Sequence, residues 1–173
     1  MKSNIMIAIL ILSSSLVTGC SEITTQLKPM EEPIGGSRSR LRVISDTFVK
    51  AVPERDCIDW SSHGAGTVFG GMAGSNGFRG RSLGMPNPPS TDLSTIAELY
   101  ITADKPITLF YNYGGGVQGG YHCSFAVSFK PNIGKDYEAK FQFDEKSRQC
   151  FVIVRTLGQI QETVQVTSAQ QCK

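Results

Sequence analysis

The sequence predicts a mainly β protein with one folded domain, an antiparallel β-sandwich (Ig-like or similar). Three observations predict it. Tyr121 to Lys130, "YHCSFAVSFK", alternates, with Cys123, Phe125, Val127 and Phe129 on one face and His122, Ser124, Ser128 and Lys130, with Ala126, on the other. Period two is what a half-buried strand requires. Turn-forming clusters such as "PNIG" and "DEKS" punctuate the chain, at the roughly ten-residue spacing of short antiparallel strands. No stretch after residue 40 carries an apolar period near 3.6, so no helix has a face to bury. A small barrel is the alternative architecture.

Residues 1–19 have the layout of a secretory signal peptide. Lys2 gives a positive start, Ile5 to Leu12 an apolar segment, Ser13 to Ser15 a polar break, and Thr18 and Gly19 small residues. The apolar run is far below the ~18 residues of a spanning helix. Leu16-Val17-Thr18-Gly19-Cys20 resembles a bacterial lipobox. The resemblance covers only the first twenty or so residues. It implies that Cys20 receives a diacylglyceryl thioether, becomes the new N-terminus on cleavage and is acylated again in many bacteria. One acyl chain binds a bilayer only marginally, at ~0.8 kcal/mol per buried methylene, so two or three chains make a lasting anchor. Ser21 stands where lipoproteins kept at the inner membrane often carry aspartate, which favours the cell outer membrane in a host that has one; a Gram-positive host would put the domain on the outer face of the plasma membrane instead.

Residues 20–39 follow as the lipidated cysteine and a flexible spacer. Pro29, Pro33 and Gly35-Gly36 interrupt a polar stretch without apolar period, too poor in apolar surface to offset its ordering entropy. Residues 40–173 form the domain, long enough for one core. Its first strands are Leu41 to Ser45 and Phe48 to Val52. Arg38, Arg40 and Arg42 alternate beside them, sharing one face that reads as a solvated edge. Ile96 to Thr102 and Ile107 to Tyr113, separated by "ADKP", read as a hairpin. Tyr137 to Phe143 points Tyr137, Ala139, Phe141 and Phe143 inward and Glu138, Lys140 and Gln142 outward. Cys150 to Val154 is apolar on both faces, as a central strand would be, and Thr163 to Thr167 closes the chain.

Cys57, Cys123, Cys150 and Cys172 remain once Cys20 is lipidated. Four cysteines in an exported domain read as two disulfides. Sequence cannot select among the three pairings; a terminal hairpin would favour Cys150 with Cys172 and Cys57 with Cys123. No C-x-x-C motif is present, and the scattered cysteines argue against zinc.

Two glycine-rich segments resist a strand reading. Ser61 to Thr91 also carries prolines and shows little β pattern beyond Thr67 to Phe69; a connection of that length is often functional or disordered. Gly114 to Gly120 is the second. Trp60, Tyr111, Tyr113 and Tyr121 flank these loops and are the candidate ligand-binding residues, able to stack on sugars or peptides. Core or rim packing is the plainer role for them.

Other constellations fail on context. Gly64 to Gly71 lacks the preceding strand and following helix of a phosphate loop. Asp59, Ser61, Ser62 and His63 contain triad residue types without a nucleophile elbow, and adjacent extended side chains point apart. His63, His122, Met72 and Met85 are too dispersed to specify a metal. Asp92 and Glu98 are no better a carboxylate pair than any other two acids. Without Lys2 the balance is 16 basic against 15 acidic residues, giving no argument for nucleic acid.

The expected protein is therefore a lipid-anchored envelope lipoprotein with a non-enzymatic binding or structural role and no cofactor. Its partners are the membrane, through the anchor, and an envelope protein or glycan. The domain is similar to small uncharacterised bacterial lipoproteins. The alternatives are a carbohydrate- or peptidoglycan-binding module and an accessory subunit of an envelope secretion or pilus machine.

Overall fold

Alternation in the sequence becomes two facing sheets. A computed structural model describes residues 24, 25, 27–70, 76–114 and 120–173. The leader and Cys20 lie outside the described residues, as does Met72. The strands are β1 (Arg38–Ile44), β2 (Phe48–Pro53), β3 (Gly66–Phe69), β4 (Ile96–Thr102), β5 (Ile107–Gly114), β6 (His122–Phe129), β7 (Asp136–Asp144), β8 (Gln149–Thr156) and β9 (Thr167–Ser168). One sheet has the order β4-β1-β7-β8 and the other β3-β2-β5-β6-β9. The five-stranded sheet is antiparallel throughout; in the four-stranded one β1 runs parallel to β7. The protein is a single β-sandwich, as the periodicity predicts.

The core lies between the sheets. Leu41 and Val43 of β1, Leu99 of β4 and Ala139 and Phe141 of β7 face Val49, Leu109, Tyr111, Val127 and Phe129 of the other sheet. Tyr111 stacks on Phe141 across the interface, with ring centroids 5.1 Å apart. Each of these side chains is withdrawn from water, and such burial contributes roughly 1.5–3 kcal/mol per large apolar residue.

Ile96 to Thr102 and Ile107 to Tyr113 do not form a hairpin. β4 pairs with β1, whereas β5 pairs with β2 and β6. Ala97, Leu99 and Ile101 on one strand and Ile107, Leu109 and Tyr111 on the other all enter the core. They do so from opposite sheets, and the connection through Asp104, at φ 59°, carries the chain across. Cys150 to Val154 is likewise not central. It lies in β8, at the end of its sheet, with Phe151 and Ile153 40% and 47% exposed. Cys150, Val152 and Val154 supply its inner face.

The disulfides are Cys57–Cys172 and Cys123–Cys150, with Cα–Cα distances of 5.1 and 6.2 Å. The pairing favoured by a terminal hairpin is thus corrected. After β8 the chain turns back against that strand over residues 162–164 alone, where Thr156 N–H donates to Glu162 C=O and Val164 N–H to Val154 C=O. It then crosses to pair β9 with β6 and runs beside Ile58. That path delivers Cys172 to Cys57 and leaves Cys123 and Cys150, on β6 and β8 of opposite sheets, facing each other.

The expected spacer is also shorter than its composition implies. Thr67 N–H donates to Lys28 C=O, Met30 N–H to Thr67 C=O and Glu31 N–H to Gly64 C=O. Met30 is 2% exposed and belongs to the core. A Cβ at Gly66 would sit 2.6 Å from Pro29 and Met30 backbone atoms, so glycine is what lets this segment close on β3. One apolar anchor and a backbone ladder hold a segment whose average composition resembles a linker.

Candidate functional site

The structure separates the four candidate ligand-binding residues. Trp60 packs on the outer face of the five-stranded sheet. It is 9% exposed, meets Phe110 edge-on at 5.5 Å, and has Lys50 Nζ 3.5 Å above its ring centroid. Tyr111 is fully buried between the sheets. Burial, then the neighbouring Asp46 carboxylate, pushes its phenol pKa far above the ordinary value. Neither ring is presented to a ligand.

Tyr113 and Tyr121 do come together, through Phe143. β5 carries Tyr113 and β7 carries Phe143 to the same end of the sandwich. Their rings stack at 4.3 Å, and Tyr121, 44% exposed, stacks on Phe143 at 6.2 Å. The guanidinium of Arg148 lies 4.4 Å from the Tyr121 ring centroid. The β7–β8 turn presents it: Asp144 accepts from Lys146 N–H and Ser147 Oγ–H, and Arg148 takes φ 56°. The Cys123–Cys150 bridge joins β6 to β8 here, opposite Tyr113 and Phe143 in the strand register. An exposed ring backed by a rigid stack, with a cation beside it, suits a flat apolar face carrying an anionic or hydroxyl edge. Phe143 was legible only as an inward strand residue, and Arg148 carried no sequence signal, because their meeting depends on the pairing of β7 with β8 across from β5.

The face carrying Arg38, Arg40 and Arg42 is not a solvated edge. β1 lies inside its sheet, and Arg42 is 1% exposed. Arg42 Nε donates to Glu98 at 2.8 Å and Nη1 to Glu138 at 3.2 Å. The same guanidinium donates to the carbonyls of Met85, Pro86 and Asn87. Arg155 donates to the other Glu138 oxygen, and Arg40 forms a two-toothed pair with Asp136. Glu138, expected to face solvent, faces outward but is buried under this cover.

The cover is the second half of the long glycine- and proline-rich segment. Gly80 N–H donates to Ile96 C=O, and Glu98 N–H donates to Arg81 C=O, extending β4. The segment then crosses β1 and ends against Gly158, whose N–H donates to Asn87 Oδ1. Burial pushes the Glu98 carboxyl up, but the Leu83 and Met85 N–H groups and Arg42 together hold it below the ordinary range. Glu98 is a structural partner of Arg42, and Asp92 caps the short 3-10 turn Leu93–Thr95 elsewhere.

Asp59, Ser61, Ser62 and His63 line an open groove of about 1320 Å³ at the opposite end of β5 from the aromatic stack. Glu54, Asp104, Lys105 and the 31–37 segment complete it. Ser61 Oγ–H donates to Asp59 at 2.5 Å, while His63 Nε2 lies 3.3 Å from Glu31. Those contacts place Asp59, not a histidine base, at the serine hydroxyl. The Ser61 hydrogen bond, against the opposing effect of burial, lowers the Asp59 pKa. His63 is almost fully exposed, and Met85 is a buried residue of the covering strap, residues 78–91. Among the described residues no group of three or more His, Cys, Asp or Glu could hold a metal ion. No helix among them is long and apolar enough to cross a membrane.

No family model, curated protein or solved structure matches the chain.

Proposed function

We propose that the protein is a lipid-anchored lipoprotein of the bacterial cell envelope, outer-membrane bound, whose sandwich has a non-enzymatic binding or structural role. The observation that carries this reading is the leader ending in Leu16-Val17-Thr18-Gly19-Cys20. Two disulfides in the folded body support an oxidising compartment. Fractionation tests the anchor. The native chain partitions with membranes, and Cys20→Ala moves it to the soluble fraction; retention of Cys20→Ala on membranes contradicts the proposal.

The Tyr113–Phe143–Tyr121 stack with Arg148 favours one more specific reading, a glycan-binding module. The rings and guanidinium would hold a sugar ring and its acidic or hydroxyl substituents. Retention on isolated cell-wall material should fall at least tenfold in Tyr121→Ala and in Arg148→Ala, with unchanged thermal unfolding. Equal retention of both variants contradicts it. Trp60→Ala is the wrong probe, since Trp60 is a packed residue and its loss reads out as instability.

A further inference from the structure

The docked N-terminal segment sets how far the body can stand from its anchor. Thr25 is 1% exposed, its carbonyl accepts from Thr67 Oγ1 at 3.0 Å, and its hydroxyl meets Lys50 Nζ at 3.3 Å. Lys28, Met30 and Glu31 continue the attachment along β3, and Glu32 completes it. The Glu32 carboxylate takes both ends of the Arg81 guanidinium, at 3.0 and 2.7 Å, and accepts from Tyr100 N–H at 2.6 Å. Attachment therefore reaches back to a residue only five positions after Cys20. A fully extended chain spans at most about 3.3–3.6 Å per residue, so this leash is roughly 17 Å long at its limit.

We propose that the bilayer surface is the partner of one particular face of the sandwich. That face is the outer face of the five-stranded sheet, around the Thr25–Lys50 contact. The orientation rests on the lipid anchor at Cys20. Acyl chains buried in the membrane and a leash of this length keep the Thr25 root within roughly 17 Å of the headgroups, which turns the face carrying that root toward them rather than the opposite one. Leu27, 52% exposed, and Lys28, with its side chain 41% exposed and paired with Glu31 at 3.4 Å, lie beside the root of the leash. An apolar side chain and a cation there suit the boundary between acyl chains and headgroups. The strap over the four-stranded sheet is then turned away from the membrane.

Trp60 reports the orientation without substitution, because Lys50 bridges its ring to Thr25. The mature chain is coupled through the Cys20 thiol to maleimide lipid in phosphatidylcholine vesicles carrying dansylated headgroups. Energy transfer from Trp60 is compared with a chain holding twenty added Gly/Ser residues after Ser21. The native leash is expected to give at least threefold more transfer. Weak transfer from the native leash, no greater than from the lengthened one, overturns the proposal. Chemical coupling makes this outcome independent of acylation in the cell, which the Cys20→Ala fractionation tests separately.

Discussion

Arg42 carries a large electrostatic commitment, with five hydrogen bonds donated from one buried guanidinium. Its guanidinium is withdrawn from water among two carboxylates and three carbonyls. Replacing it with methionine keeps much of the volume but takes the guanidinium from Glu98 and leaves Glu138 with Arg155 alone, and a buried pair broken on one side costs about 3–5 kcal/mol. Urea denaturation of Arg42→Met should show that loss; a change below about 1 kcal/mol would contradict the role given to it. Arg40→Ala should cost much less, because its side chain is 32% exposed and such pairs contribute about 0–1 kcal/mol. The Glu98 carboxyl sets a pH dependence with a definite sign. Its folded pKa lies below the ordinary carboxyl value of 4.5. The unfolded chain thus binds the proton more readily, so Glu98 stabilises the fold above about pH 4.5 and loses that contribution as pH falls further. Glu98→Gln should flatten this acid limb of a Tm-versus-pH curve, and an unchanged limb would assign the acid sensitivity to other carboxylates.

Elements with one strong period were legible; elements made by tertiary closure were not. β4 was readable to its ends, and the faces of β6 and β7 followed from alternation, because a strand half exposed to the core writes period two into its sequence. Pairing partners were hidden. The "ADKP" connection looks like a hairpin turn, yet nothing local distinguishes a return within a sheet from a crossing between sheets. β8 reads as central because Phe151 and Ile153 are apolar, although both are substantially exposed. The segments 28–32 and 78–91 read as spacer and loop because their attachments are backbone hydrogen bonds and distant side chains, Glu32 with Arg81 and the strap carbonyls with Arg42. Gly66 is the residue that makes the first attachment fit. Gly66→Ala should push Pro29 and Met30 off β3. Hydrogen exchange should then accelerate at the Met30 and Thr67 amides while β5 and β7 stay protected. Unchanged protection at those two amides would show that the contact is dispensable.

At the scale of the whole molecule, two cross-links and two attached segments close the sandwich on different sides. Cys123–Cys150 joins the two sheets, and Cys57–Cys172 fixes the C-terminal run. Their sequence separations of 27 and 115 differ enough to predict an order. In the chain-entropy model the longer loop restricts the unfolded chain by about 5 kcal/mol and the shorter by about 3.5 kcal/mol. The Cys57→Ser/Cys172→Ser double variant should therefore unfold at lower denaturant than Cys123→Ser/Cys150→Ser. The reverse order would place native packing around the inter-sheet bridge above loop length in importance. The candidate site was legible only in half: tyrosines beside glycine-rich loops were visible, but Tyr111 and Tyr113 share the inward phase of β5, and the exposure of Tyr121 and burial of Trp60 are set by loops outside that strand. Tyr111 and Trp60 are spent on packing, while Tyr121 is left at the rim.

The central claim is a covalent one, that fatty chains on one sulfur define where this sandwich works. Intact and N-terminal peptide mass spectrometry of the chain purified from its native envelope tests it most directly. The predicted product begins at Cys20 and carries diacylglyceryl mass, with or without an amide-linked acyl chain. A mature chain that begins elsewhere, or one that begins at an unmodified Cys20, would contradict it.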